Sequence, residues 1–291
     1  MLLPQSAVIT GIMITIAISA CQRSSHDSEP LFDTIPATVT VPNTLKEASG
    51  LAASKSNPGS LWVHEDSGSP GQILLLKNTG SLIRVVIIQG AVNIDWEDMS
   101  LSKGPDPSLN YLYLADVGDN SLNRTECAIY RLAEPSATAD TVRLFDKIRF
   151  QYPDGSHDAE GILVESNTKD IYIITKSDNP SAIYKLSYPQ DLAGINQAVL
   201  SGKLRFGGVT GAAMSPDNAE IIIKTYPALN YFARAAGVSI EKALQNSPVG
   251  LPYQVEPQGE AVAFATDNSG FYTLSEQAFS PTVSLFFYKR K

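Results

Sequence analysis

Cysteine is scarce in this chain, with two in 291 residues, so neither a disulfide framework nor a Cys-x-x-Cys redox or zinc motif is present. Histidine is nearly as rare, at three, and no His-Glu-x-x-His pair occurs. Positive charge is in deficit. Lys and Arg number 22 against 30 Asp and Glu, for a net charge of −8, and the basic residues form no stripe. Such a chain is a poor match for a phosphate backbone, which argues against nucleic acid as a partner. There is no Gly-x-Ser-x-Gly elbow and no Walker loop. No apolar run is long enough to cross a bilayer of roughly 30 Å as a helix.

The longest apolar run, Ala7 to Ala20, has 14 residues and is broken only by Thr10, Thr15 and Ser19. That is the length of a signal-peptide core, and small residues lead up to a cleavage point. The run Ile18-Ser19-Ala20-Cys21 resembles the lipobox of bacterial lipoproteins, in which cleavage exposes a cysteine that is then acylated. Met1 to Ser6 departs from that pattern in having no Lys or Arg. The alternative is a plain secretory signal with an accidental cysteine. The resemblance implies a signal peptide over 1–20, a lipid on Cys21 and a membrane anchor in the bacterial cell envelope, at the outer membrane, facing the periplasm or the surface. With Cys21 lipidated, Cys127 has no partner and no intrachain disulfide forms. The setting Glu126-Cys127-Ala128-Ile129-Tyr130 reads as a strand and predicts a buried, inert thiol. Residues 22–35 are polar, with Ser, Asp, Glu and Pro, and read as a disordered tether. The tether is placed at 21–36 and the folded domain at 37–291.

Five segments of that domain repeat one pattern: a small or acidic start, a short apolar strand, a turn and a second strand. They begin at Glu47-Ala-Ser-Gly-Leu-Ala, Asp95-Trp-Glu-Asp-Met-Ser, Asp158-Ala-Glu-Gly-Ile-Leu, Val209-Thr-Gly-Ala-Ala-Met and Gly259-Glu-Ala-Val-Ala-Phe. Their third-column residues, Ser49, Glu97, Glu160, Thr210 and Glu260, are spaced by 48, 63, 50 and 50. An extra loop at 123–140 accounts for the long interval. The turns are rich in Asn, Asp and Gly, as in Asp267-Asn-Ser-Gly. The second strands are aromatic and β-branched, as in Ile171-Tyr-Ile-Ile. Third strands recur at Ile73-Leu-Leu-Leu and Ala182-Ile-Tyr-Lys-Leu, and fourth strands at 84–88, 147–152, 203–206 and 253–255. The last repeat lacks a fourth strand, while an orphan strand, Ala37-Thr-Val-Thr-Val41, precedes the first. The pattern predicts an all-β protein, a five-bladed β-propeller of four-stranded blades whose ring is closed by the N-terminal strand, leaving no exposed edge. One helix is predicted over 239–245, with Ser239 as its N-cap.

In such a ring the first strand lines the channel and the second runs back beside it. The starts of the first strands and the ends of the second therefore emerge on one face. This gathers Glu97, Glu160 and Glu260 with Glu65, Asp116, Lys176, Lys224 and Glu276, and brings His64, Asp66, Asp95, Asp98, Asp119, Asn120, Asp158, Asp178 and Tyr226 close by. Carboxylates held together repel, and burial sharpens the repulsion. Either some are protonated, or a cation neutralises them. Oxygen ligands without Cys suit a hard ion such as Ca2+, so Glu97, Glu160 and Glu260 are candidate metal ligands. The other reading turns these glutamates sideways onto Lys176, Lys224 or backbone amides. His64, Asp66, Asp116, Asp119, Lys176, Lys224 and Glu276 are candidate ligand-binding residues. His64 and His157 read mainly as surface hydrogen-bonding residues, and Trp62 and Trp96 as core.

The pairing of Asp158-Ala-Glu-Gly-Ile-Leu with Tyr-Ile-Ile-Thr-Lys, repeated as Gly259-Glu-Ala-Val-Ala-Phe with Tyr-Thr-Leu-Ser-Glu, resembles the SdiA-regulated propellers and the esterase-like phytase family. The first of these implies a five-bladed, calcium-binding propeller of the cell envelope. Ser49 and Thr210 depart from a ring of acids. Three functions follow as expectations. The first is an envelope lipoprotein that binds a small molecule or envelope protein at the channel mouth, with Ca2+ as cofactor. The second is a metal-dependent hydrolase of a phosphate ester or lactone, with Lys176 and Lys224 holding the anion. The third is an interaction scaffold without a small-molecule site. Whether the chain is an enzyme is left open at this level.

Overall fold

The structure is a computed structural model that describes Met1 and residues 29–291. The signal peptide, the acylation site Cys21 and the first part of the tether lie outside the described residues. Five sheets, each with four antiparallel strands and two with a short parallel strand added at the edge, surround one axis, with their innermost strands in contact in a closed cycle. Blade 1 runs Ala48–Ala53, Ser60–Glu65, Gln72–Lys77 and Leu82–Ile88 from the axis outward. Blade 2 runs Trp96–Lys103, Asn110–Asp116, Cys127–Ala133 and Asp146–Gln151. Blade 3 comprises Ala159–Val164, Ile171–Thr175, Ala182–Leu186 and Val199–Lys203, and blade 4 comprises Val209–Met214, Glu220–Thr225, Ala228–Ala233 and Val249–Gly250. Blade 5 runs Gly259–Phe264, Gly270–Ser275 and Ser284–Lys289, and Ala37–Thr40 supplies its outer strand, pairing antiparallel from Ala37↔Phe287 to Thr40↔Ser284. The protein is a five-bladed β-propeller, closed by its N-terminal strand.

The composition of each strand follows from its distance to the axis. Near the axis the blades converge, and the inner strands are small: Ala48-Ser-Gly-Leu-Ala-Ala53 is buried throughout. Further out each sheet is covered on both faces, so the second strands need no polar alternation. Ile171–Thr175 is likewise buried at every position. The core is accordingly divided into five slabs, one between each pair of neighbouring blades. Trp62 and Ile73 of blade 1 meet Trp96 and Leu112 of blade 2. Tyr172 and Ile174 of blade 3 meet Ile221 and Ile223 of blade 4.

Several local expectations change. Ordered structure reaches back into the predicted tether. Phe32 is fully buried, packs edge-on against Phe271 at 4.9 Å, and lies under the Arg290 guanidinium. A single aromatic among polar residues is enough to dock that stretch of chain. The outer strand of blade 3 is Val199–Lys203 rather than 203–206, although Leu204 and Phe206 continue to exchange backbone bonds with Ser181. The outer strand of blade 4 is Val249–Gly250 rather than 253–255, because Tyr253 turns inward and donates its hydroxyl to Glu256 at 2.9 Å. The helix spans Ile240–Leu244, and Ser239 makes no side-chain cap. The strand expected around Cys127–Tyr130 is present as Cys127–Ala133, the third strand of blade 2, and the chain beyond it lays Thr141–Val142 parallel to the outer edge of blade 1. Cys127 is a buried free thiol whose pKa is pushed up to about 12, chiefly by burial.

Candidate functional site

The third column of the repeat is a ring of β-bulges. In blade 1 Ala48 pairs with Glu65 and Gly50 with His64, so Ser49 stands between two rungs of the ladder. The same shift occurs at Glu97, Glu160, Thr210 and Glu260. A bulge adds a residue and re-aims its side chain. The two hydroxyls turn to the next blade: Ser49 donates to the Glu97 carbonyl, and Thr210 to the Gly259 carbonyl at 3.0 Å. They join neighbouring blades rather than contributing ligands. The other three bulge residues are carboxylates.

Two clusters of acids share Glu97. Asp66, Asp95 and Glu97 can each offer an oxygen with all three atoms within 4.8 Å of one another, and so can Glu97, Asp158 and Glu160. Gly118 lies against the first cluster, where a Cβ would overlap the carboxylates of Glu97 and Asp95. The absence of a side chain there leaves a cradle for those oxygens. Asp158 is fixed by the Asp119 amide at 2.9 Å and the Ser177 hydroxyl at 2.8 Å. Glu160 is ion-paired to Lys176 through one oxygen, while the other is buried with no hydrogen-bond partner. Glu260 belongs to neither cluster. It accepts from the Tyr226 hydroxyl at 3.0 Å and has a second oxygen without a partner.

Burial and mutual repulsion raise the proton affinity of this group. Burial, with Glu260 adding to it, pushes Glu160 up to about 8. Glu276 is pushed to about 8 by burial and by Glu260, and Asp95 to about 6 by burial and Asp66. Glu97 is held well above the carboxylate range by burial first and Glu160 second. Dense oxygen ligands with unpaired buried lone pairs fit a hard divalent cation. Asp66, Asp95, Glu97, Asp158 and Glu160 are the residues that would hold it. Of the predicted metal ligands, Glu97 and Glu160 come together, whereas Glu260 stands beside them. Asp95 and Asp158, which the sequence puts at the mouth as neighbours of the glutamates, join them as ligands, and each opens the very repeat that carries its glutamate.

Other predicted residues are diverted to structural work. Lys224 is fully buried, ion-paired to Glu256 and set over the Tyr253 ring, so it does not join Lys176 as an anion-holding pair. Its backbone pairs with Gly211, one residue before Thr225, whereas Lys176 lies one residue beyond the equivalent Thr175, so Lys224 sits two residues further inside its blade. Asp116 bonds Arg124 at 2.9 Å, and Asp119 accepts the amides of Asn123 and Arg124 in its own loop. His64 is not a surface residue. It is wholly buried opposite Gly50, where a Cβ would strike the imidazole, and packs edge-on against Trp96 at 5.6 Å. Burial lowers its pKa. His157 bonds Asp178 at 3.0 Å and the Tyr184 hydroxyl at 2.8 Å. Trp62 and Trp96 are core, as expected.

Asp98 has a central role that its place among the polar neighbours of the mouth does not show. The fourth column reads Gly50, Asp98, Gly161, Gly211, Ala261, small in every blade but one. Asp98 uses the space the others leave. Its buried carboxylate accepts amides from three blades: Met99 at 2.8 Å, Ile162 at 2.9 Å and Ala212 at 3.1 Å. Burial pushes its pKa up, with those amides opposing.

No family model matches the sequence, and no curated protein does. Among solved structures, a luciferin-regenerating enzyme superposes with a TM-score of 0.51 at 9% identity, over 87% of this chain and 95% of that one. A chain of a nidogen/laminin complex gives 0.46 at 14% identity, over 79% of this chain and 73% of that one. The PQQ-bound aldose sugar dehydrogenase of Streptomyces coelicolor gives 0.47 at 10% identity, over 89% of this chain and 100% of that one. At these identities the likeness to the first is one of fold, and by fold this chain is a β-propeller.

Proposed function

We propose that this chain is an envelope lipoprotein whose propeller binds a divalent cation, Ca2+, at the acidic end of its axis, and that this end holds a small ligand or an envelope partner. The observation that carries the reading is Glu97, a bulge residue common to two carboxylate triads, one of which includes Glu160 with a buried oxygen that has no hydrogen-bond partner. The lipobox-like Ile18–Cys21 run supports the envelope location. Calcium should therefore bind saturably to the full chain after chelator treatment, as read by titration calorimetry. Selective binding to the folded state adds about 2.7 kcal/mol at a hundredfold excess over Kd, so the melting temperature should rise by about 5 °C or more. Glu97→Gln removes the shared ligand and should abolish both effects. Glu126→Gln, at a half-exposed position outside both triads, should keep them. Absence of saturable binding, or undiminished binding by Glu97→Gln, would refute the cation site.

A further inference from the structure

We infer that the opposite end of the axis is a second binding site, for a small organic monoanion of about the size of benzoate. The inner strands leave a cavity of about 140 Å³ there. Its inner end abuts Met99 and Ala212, whose amides bond Asp98. Asp98 therefore lies between this cavity and the acidic cluster.

The lining combines apolar, cationic and neutral polar groups, the last being serine and threonine hydroxyls with the Asn110 and Asn218 amides. Leu51, Met99, Leu101, Val164, Val262 and Phe264 provide an apolar wall. Lys55 and Lys103 also line it, and no carboxylate does. In a chain of net charge −8 this is a local reversal of sign. Neither lysine forms an ion pair among the described residues; the Lys103 ammonium donates to the Leu109 carbonyl at 3.3 Å and, after the Ser108 hydrogen bonds, helps hold nearby Asp106 ionised, and Lys55 is exposed. Glu134, the acid beside Lys55, has its carboxylate engaged by Ser54, the Lys55 and Ser56 amides and Trp62. The two ammonium groups thus have charge to offer a ligand.

Size and polarity select the occupant. An apolar cavity of about 150 Å³ takes up benzene, so a six-membered ring matches this volume. A free phosphate would leave the apolar wall unfilled, and a neutral hydrocarbon would leave the lysines unused. An aromatic or branched aliphatic carboxylate uses both, with its apolar body in the shaft and its charge at Lys55 and Lys103.

Methionine methyl resonances provide the readout. The chain has four methionines, and two of them, Met99 and Met214, line the cavity. With methyl-labelled full chain and benzoate as the probe, the Met99 and Met214 signals should shift saturably, with and without chelator. Benzyl alcohol, of similar shape but neutral, should bind about tenfold or more weakly, and Lys55→Gln/Lys103→Gln should weaken benzoate by a similar factor. The proposal is overturned if benzoate causes no saturable shift, if benzyl alcohol binds equally well, or if the double variant binds benzoate as the wild type does. Because these readings are taken with chelator as well as without, they stand or fall separately from the calcium site.

Discussion

Glu97 and Asp98 are adjacent, and the bulge gives them different tasks. Asp98 satisfies amides from three blades, so Asp98→Ala would leave three buried N–H groups without partners. Each unsatisfied buried group costs about 1–3 kcal/mol, and the variant should lose about 3 kcal/mol or more, measured by chemical denaturation. A loss below about 1 kcal/mol would show that other groups can take over those amides. Around Glu97 the expected effect is one of pH. Glu160 and Glu276 have pKa values near 8 against an ordinary 4.5, so the fold favours their protonated forms. Their contribution to stability is present below the ordinary value and is lost as pH rises through the raised one. The calcium-free protein should therefore lose stability between about pH 4.5 and 8, and Glu160→Gln should flatten part of that slope in thermal melts taken with chelator. Calcium affinity should rise over the same window, because binding displaces protons. An identical slope in wild type and Glu160→Gln would remove Glu160 from the account.

The strands make the ring and also protect its edges. Ala37–Thr40 completes blade 5, Thr141–Val142 lies along the edge of blade 1, and Asn196–Gln197 lies along that of blade 2. Such cover lowers the risk of edge-to-edge pairing. The N-terminal closure includes Phe32, buried against Phe271, so truncations should divide sharply. Removing residues 1–30 should leave stability unchanged. Removing 1–36 deletes Phe32, and loss of a buried Phe costs about 3–5 kcal/mol. Removing 1–41 also bares Ser284–Lys289 and should cause aggregation. Melting curves and size-exclusion profiles of the three truncations check this series; equal stability of the first two would show that Phe32 does not brace the ring.

At the scale of the whole molecule, five interblade slabs hold an axis whose two ends differ in charge. Carboxylates gather where the inner strands begin, and the lysines lie where they end. A lipid at Cys21 would confine this ring to a membrane surface through the segment that precedes Phe32. Radiolabelled palmitate should be incorporated by the full chain in a bacterial host, and Cys21→Ala should abolish the label and release the protein from the membrane fraction. Equal labelling of the variant would refute the anchor.

The five-fold repeat, the closing strand and the column of bulge residues could all be read along the chain, because each blade repeats the same packing problem at nearly constant spacing. The acids Asp95 and Asp158 were visible too, since they open the repeats that carry Glu97 and Glu160. Tertiary structure decided which groups meet. Glu97 joins Asp66 from the preceding blade and Asp158 from the following one, while Glu260 turns to Tyr226. Lys176 and Lys224 look equivalent at nearly equal offsets, yet a two-residue difference in register buries Lys224 against Glu256. His64 is taken into the core by the space at Gly50, and Asp98 reaches amides 64 and 114 residues away. Spacing along the chain conveys which column a residue occupies. Alternation within a strand and the stacking of one blade on the next determine what its side chain touches.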